Sequence, residues 1–117
     1  MPLNFIDNQA VRSASSQTLP VIDPADGQPY DTIERSSAAD VDMAVQAARR
    51  CLDTTWSRLS AAERGRLLMK LSAKVAEHAD ELATIEQRDC GKPTQQARAD
   101  ALALVRYFEF YAGAADK

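Results

Sequence analysis

The sequence predicts an α+β fold in which short strands and turns come first and about four helices follow. Turn-forming residues at positions 7–8 and 23–27 separate short extended runs in the first part of the chain. From Ser37 onward, apolar residues recur at the three- and four-residue spacing of a helix. We therefore place strands and turns in residues 1–35 and helices in residues 36–117.

Composition and charge exclude several classes of protein. The chain has 117 residues, of which 45% are apolar and 26% charged, as in ordinary globular domains. A net charge of −3, with scattered Lys and Arg, gives no basic footprint for nucleic acid. No apolar run approaches the roughly 20 residues of a membrane span, and no basic-then-apolar signal opens the chain. We expect no nucleic-acid partner, no membrane association and a cytoplasmic location.

One hairpin and two further extended segments are expected in the first third. The runs Asn4–Ile6 and Gln9–Val11 flank Asp7 and Asn8, which tolerate the positive φ of a tight turn. Residues 19–22 and 30–34 are short extended segments on either side of a turn at 23–27. Alternation in the last of these runs sets Glu34 and Ile33 on opposite sides.

Two capping boxes open the first two helices. In each box a Ser is followed three residues later by an acid, Asp40 after Ser37 and Glu63 after Ser60. The first helix ends near Asp53 and carries an apolar stripe, and the second is predicted to turn its own stripe inward. The two stripes are Val41, Val45, Ala48 and Leu52, then Leu67, Leu68, Leu71 and Val75.

Asp80 is expected to cap a third, short helix that turns Leu82 and Ile85 inward. It stops at Gly91, with Pro93 beyond, and the fourth helix runs from Thr94 to about Ala112. Large apolar side chains surround the fourth helix on nearly every side, which is typical of a helix buried in a larger protein. This pattern requires either further chain around the helix or a tight oligomer.

No residue of the chain is predicted to be catalytic or to bind a cofactor. Cys90 lies at a helix C-terminus beside Asp89, where the helix dipole disfavours a thiolate, and no base is near it in the sequence. Cys51 is interpreted as a packing residue and His78 as solvated. The four glycines match no nucleotide-binding fingerprint. Four aromatic residues of the fourth helix are assigned to the core: Tyr107, Phe108, Phe110 and Tyr111.

Six short segments, taken in order, resemble the opening of the NAD(P)-dependent aldehyde dehydrogenase superfamily. They are FIDN (5–8), VIDPADG (21–27), DVDMAV (40–45), WSRLSAAER (56–64), DCGKP (89–93) and YAGAADK (111–117). The resemblance implies an α/β enzyme that oxidises an aldehyde to a carboxylic acid with NAD or NADP. Residues 1–117 would form its N-terminal segment, with residues 36–117 contributing to the nucleotide-binding domain. The nucleophilic cysteine, the glutamate base and the nucleotide fold would all lie C-terminal to it, which leaves this chain inactive alone.

The resemblance also implies two sites and an assembly. Many members bind a structural monovalent cation, and the matching oxygens here are the Asp89 carboxylate and the main-chain carbonyls of Val21 and Ile22. The fourth helix lines the aldehyde entrance in the family, where Ala99 and Ala103 occupy positions that often carry bulkier side chains. Tight helix packing explains two alanines equally well. A homo-oligomer is expected.

The residues also allow two other interpretations of what the chain does. A free-standing helical module could use the apolar fourth helix to associate with itself or to scaffold another protein. A small thiol enzyme would instead depend on Cys90, which lacks the environment for it.

Overall fold

A computed structural model describes residues 2–117, and it confirms an α+β arrangement of short strands followed by helices. Met1 lies outside the described residues. The strands are β1 (Asn4–Ile6), β2 (Gln9–Val11), β3 (Thr18–Ile22) and β4 (Pro29–Glu34). The helices are α1 (Ala38–Asp53), α2 (Ala61–Glu77), α3 (Ala79–Cys90) and α4 (Thr94–Ala114), with a single 3₁₀ turn at Trp56–Arg58. The chain divides into two compact units, unit 1 through Arg58 and unit 2 from Leu59 to Lys117.

The first hairpin forms as predicted. β1 and β2 pair antiparallel with Asn4 opposite Val11 and Ile6 opposite Gln9. Asp7 and Asn8 take φ values of 53° and 61°, the left-handed pair that a two-residue hairpin turn requires. The turn sequence therefore sets the register of this hairpin.

The two predicted extended segments, β3 and β4, pair with each other as a second hairpin across the predicted turn. The Asp23 side chain accepts a hydrogen bond from the Ala25 N–H at 2.9 Å, and Gly27 adopts a φ of 72°. The pairing shifts register between Val21 and Ile22, so the ladder is irregular beside the turn. On β4, Glu34 is buried and Ile33 is exposed, which confirms their predicted opposition.

Helix α1 starts at the predicted capping box and ends at Asp53. The Ser37 side chain accepts from the Asp40 N–H, and the Asp40 carboxylate accepts from the Ser37 N–H at 2.6 Å. Asp40 and Ala47 are the buried residues of the helix. Its apolar stripe does not pack within unit 1, because Val41, Val45, Ala48 and Leu52 are all exposed.

In unit 2, α2 packs against α4 mainly through small residues. A Cβ added at Gly65 would lie 2.7 Å from the Ala112 carbonyl oxygen, so the two backbones almost touch there. The Ser72 hydroxyl donates to the Val105 carbonyl at 3.0 Å. Of the four residues predicted to point inward, Val75 is buried and Leu68 half-buried, as predicted. The prediction is wrong for Leu67 and Leu71, which are exposed.

Helix α3 differs most from its prediction. It starts at Ala79, with His78 in the capping position, so Asp80 lies inside the first turn and is not the cap. Ala79 and Ala83 are buried, whereas Leu82 and Ile85 are exposed. The prediction of the inner face was wrong because α3 meets α4 through alanines, which permit a close approach. The predicted end is confirmed, since Gly91 has a φ of 68° in the left-handed C-cap position.

Helix α4 keeps many of its large apolar side chains uncovered. Ala97 and Ala101 are buried and Val105 and Phe108 half-buried. The assignment of four aromatics to the core is wrong for Tyr107, Phe110 and Tyr111, which are 63%, 69% and 59% exposed. They are exposed because α2 and α3 cover only the small-residue face of α4. None of the helices within residues 2–117 combines the length and apolar character that crossing a membrane would require.

Candidate functional site

A groove of about 590 Å³ runs along the uncovered face of α4. Its wall is formed by Ala103, Arg106, Tyr107, Phe110 and Tyr111. The rings of Phe110 and Tyr111 meet edge to face with centroids 5.3 Å apart, and Arg106 Nε lies 3.3 Å from Glu109 Oε2. Ala103, one of the two residues predicted at the aldehyde entrance, is therefore part of a concave apolar surface. Ala99, the other, is exposed one turn earlier and does not line the groove.

An ionic cluster fixes the corner between α3 and α4. Lys92 belongs to the three-residue connection between the helices, and its ammonium contacts Glu86 of α3 and Asp100 of α4, the latter at 2.7 Å. Hydrogen bonds to Asp100 and then to Glu86 raise the pKa of Lys92. Sequence reasoning missed this cluster. The sequence pattern that indicates this cluster is a lysine between two helices, with an acid on the helix before it and an acid on the helix after it.

Unit 1 contains a buried polar cluster around Asp40. The Asp40 carboxylate accepts from the Ser13 hydroxyl at 2.7 Å and from the Ala14 N–H at 3.2 Å, in addition to the capping bonds from Ser37. The backbone N–H of Ser37, followed by the hydroxyls of Ser13 and Ser37, holds the pKa of Asp40 well below its usual range. Glu34 accepts from the Ser13 N–H at 3.0 Å. The cluster joins the segment after β2 to both β4 and α1, which is a structural role.

The cation ligands inferred from the resemblance lie in different units. Val21 and Ile22 end β3 in unit 1, and Asp89 is exposed in the last turn of α3 in unit 2. The cation site, which would need oxygens from both units, therefore stays a prediction. Within residues 2–117, no three His, Cys, Asp or Glu side chains are grouped as a metal centre would need.

Both cysteines are exposed and free. This contradicts the interpretation of Cys51 as a packing residue. Its side chain instead borders a groove of about 330 Å³ in unit 1, together with Phe5, Ala44 and Ala47. Like Ala48 of the α1 stripe, which borders the same groove, Cys51 is exposed because the groove between α1 and the first hairpin is open. His78 is exposed as predicted, with Nδ1 2.9 Å from Glu81.

The fold matches one part of longer solved structures, over about 24% of each. Residues 11–117 match the model of the aldehyde dehydrogenase family. The chain belongs to the aldehyde dehydrogenase family, which confirms the resemblance inferred from the six sequence segments.

Relatives and solved structures agree with this assignment. Retinal dehydrogenase 2 of Homo sapiens is 42% identical over 116 residues, and aldehyde dehydrogenase [NAD(P)+] 2 of Saccharomyces cerevisiae is 37% identical over 114. Each alignment covers 97% of this chain and 22% of the relative. A crystal structure from Burkholderia cenocepacia, assigned to the aldehyde dehydrogenases, has 57% identity and a TM-score of 0.95 over 97% of this chain and 24% of its own.

The same fold occurs in a relative with bound cofactor. Betaine aldehyde dehydrogenase of Staphylococcus aureus in complex with NAD+ is 32% identical, with a TM-score of 0.95 over 99% of this chain and 24% of its own. The chain thus spans about a quarter or less of the length of these proteins.

Proposed function

We propose that this chain is the N-terminal part of an enzyme that oxidises an aldehyde to a carboxylic acid with NAD or NADP. The observation that carries the proposal is the family match over residues 11–117, combined with relatives of which the chain spans only 22%. The nicotinamide accepts the hydride in such a reaction. The thiol nucleophile and its base would come from outside residues 1–117, as the family resemblance implies.

The role proposed for this chain is to support the reacting groups and to shape access to them. Residues 36–117 would contribute to the nucleotide-binding domain. The uncovered apolar surface of α4 supports this role. Aromatic side chains that are as exposed as those of Tyr107 and Phe110 normally mark a surface that contacts other protein or a ligand. Ala103, as part of the α4 groove, would border the aldehyde entrance, and its small side chain would leave that entrance wide.

The remaining features belong to the same proposal. A monovalent cation would be held by Asp89 and the carbonyls of Val21 and Ile22, since hard oxygen donors suit alkali ions. The enzyme would be cytoplasmic and a homo-oligomer. Substituting Asp89→Ala in a full-length enzyme should abolish any dependence of its stability on potassium or sodium. Survival of that dependence would remove the cation from the proposal.

A chimeric enzyme tests the function. The chain replaces the corresponding N-terminal part of the NAD-dependent aldehyde dehydrogenase of Sinorhizobium meliloti, which is 35% identical with a TM-score of 0.94. The purified chimera and the isolated chain are each mixed with NAD+ or NADP+ and a panel of aldehydes. Formation of reduced nicotinamide is followed by absorbance, with the unaltered host enzyme as the positive control.

We expect turnover by the chimera and none by the isolated chain. Turnover by the isolated chain would show that its own residues carry the chemistry, contrary to the proposal. A folded chimera without turnover would contradict the supporting role. A stable, defined oligomer of the isolated chain would then favour the free-standing helical module.

A further inference from the structure

We propose that Lys92 is a positioning residue for the aldehyde groove: its ion pairs hold the first turns of α4 so that Ala103 stays in place. The inference rests on the proposed function, because it assumes that the α4 groove borders the aldehyde path. Lys92 itself touches neither the groove wall nor any reacting group. It would act through α4.

Lys92 lies in the short connection between α3 and α4. Its side chain contacts Glu86 of α3 and Asp100 of α4. Its side chain is only 25% exposed, so both interactions are partly shielded from water. One lysine in the three-residue connection thus binds an acid on each of the two helices that it joins.

The ion pair of Lys92 with Asp100 lies close, along α4, to the groove residue Ala103. Asp100 precedes Ala103 by three residues, which is less than one helical turn. Between them, Ala101 is buried against its neighbours, and Ala97 one turn earlier is fully buried. Packing through methyl groups gives α4 few side-chain interlocks that resist rotation or sliding. The ion pairs therefore supply much of the directional restraint at this end of the helix.

Two other ion pairs of unit 2 are more exposed to water than the Lys92 side chain. Lys74 and Glu77 lie 2.5 Å apart on the same helix and are both exposed, so their pair restrains no second element. Arg98 and Asp80 also link α4 to α3, at 2.7 Å, but their side chains are 56% and 79% exposed. Such exposed pairs contribute little. Lys92 is the better restraint because it is shielded and has two acidic partners.

The test uses the chimeric enzyme carrying Lys92→Met, with Lys92→Arg as the conservative variant and Lys74→Met as the matched control. Steady-state kinetics are measured with propanal, with benzaldehyde and with varied NAD+. Amide hydrogen exchange of residues 100–106 is measured in the same proteins, and this readout needs no turnover.

For Lys92→Met, the KM for benzaldehyde should rise by about threefold to fivefold, the size expected for losing a partly shielded pair. The rise should be smaller for propanal, and kcat and the KM for NAD+ should stay unchanged. Exchange in residues 100–106 should accelerate. Lys92→Arg should restore most of each value, and Lys74→Met should change none.

Unchanged benzaldehyde KM and unchanged exchange in Lys92→Met would overturn the proposal. So would an equal rise in the KM for the aldehyde and in the KM for NAD+, which would indicate general destabilisation. If Lys92→Met does not fold, Asp100→Asn decides in its place under the same expectations. An inactive unsubstituted chimera would count against the proposed function, while accelerated exchange in Lys92→Met would still support the restraint.

Discussion

Each of the two units is stabilised internally by a different kind of interaction. Unit 1 is organised around buried polar groups, with Asp40 and Glu34 both accepting hydrogen bonds from Ser13. Unit 2 is organised around small residues, with Gly65 and Ala97 letting the helices approach closely. A carboxylate cluster needs specific donors, whereas small-residue packing needs the absence of side-chain volume. Changes that add volume should therefore damage unit 2, and changes that remove an acceptor should damage unit 1.

The units share one feature, which is that many of their large apolar side chains face outward. In unit 1, Val41 and Phe5 are 58% and 73% exposed, and in unit 2, Ile85 and Phe110 are 56% and 69% exposed. A large side chain cannot occupy a contact built for Gly or Ala, so it projects from the opposite side of its helix. Both units thus keep apolar surfaces of the kind that other protein covers.

The largest effect is expected from adding volume between α2 and α4. In Gly65→Ala, the new methyl group would lie 2.7 Å from the Ala112 carbonyl oxygen, so the helices must move apart. We expect a loss of about 1–3 kcal/mol in the free energy of unfolding. Urea unfolding followed by circular dichroism measures it. Gly113→Ala is the control, because nothing lies within 4 Å of the added atom, and its stability should hold or rise.

Removing an acceptor should come next, in unit 1. Asp40→Asn loses the carboxylate that accepts from Ser13, Ala14 and Ser37, so the thermal midpoint should fall by several degrees. Glu63→Gln changes the corresponding capping box of α2, which is exposed, and should lower the midpoint less. Equal effects of the two substitutions would contradict a special role for the buried cluster.

The Asp40 cluster also predicts a pH dependence. The pKa of Asp40 is lowered in the folded chain, so below the ordinary value of about 4 the unfolded state binds more protons. The stability that Asp40 contributes is complete above that pH and is lost as the pH falls further. Unfolding measured between neutral and strongly acidic pH should show a steeper loss in the unaltered chain than in Asp40→Asn. Parallel curves would contradict it.

A smaller effect is expected at Ser72. Its hydroxyl is buried and donates to the Val105 carbonyl at 3.0 Å, and Ser72→Ala removes that bond while keeping the small volume. We expect a loss of about 0.5–1.5 kcal/mol, less than for Gly65→Ala, from urea unfolding. A larger loss than at Gly65 would mean that hydrogen bonding, and not volume, governs unit 2.

The smallest effect is expected for Phe110→Ser in the isolated chain. The ring is 69% exposed, so its loss should change the unfolding free energy by less than about 0.5 kcal/mol. The same substitution in the chimera should cost distinctly more if the host covers the ring. Equal costs in the two settings would mean that the ring stays uncovered.

Local chemistry explains what could be predicted from the sequence. The turns at Asp7-Asn8 and Gly27, the capping boxes at Ser37 and Ser60, and the stop at Gly91 each depend on a residue's own backbone preference, and all are confirmed. The inner helix faces depend on which neighbours are present. The periodicity of Leu67, Leu71 or Ile85 shows that one side is apolar, but it does not show whether this chain covers that side.

The sites divide in the same way. Ala103 lies in a groove, and its place at an aldehyde entrance stays a prediction. The Lys92 cluster was missed because Asp100 is eight residues away and joins it only through the fold. Ala99 was placed with Ala103 by the family resemblance, and it does not line the groove. The cation ligands, also inferred from the resemblance, stay a prediction.

Thiol labelling measures whether the rest of an aldehyde dehydrogenase covers the outer face of α4, as we propose. Phe110→Cys is introduced into the chimera with Cys51→Ser and Cys90→Ser, and every other cysteine of the host is accounted for by labelling the parent. Lys70→Cys, at an exposed polar position of α2, is the control. We predict slow labelling at position 110 and fast labelling at position 70. Equally fast labelling at both positions would contradict the claim.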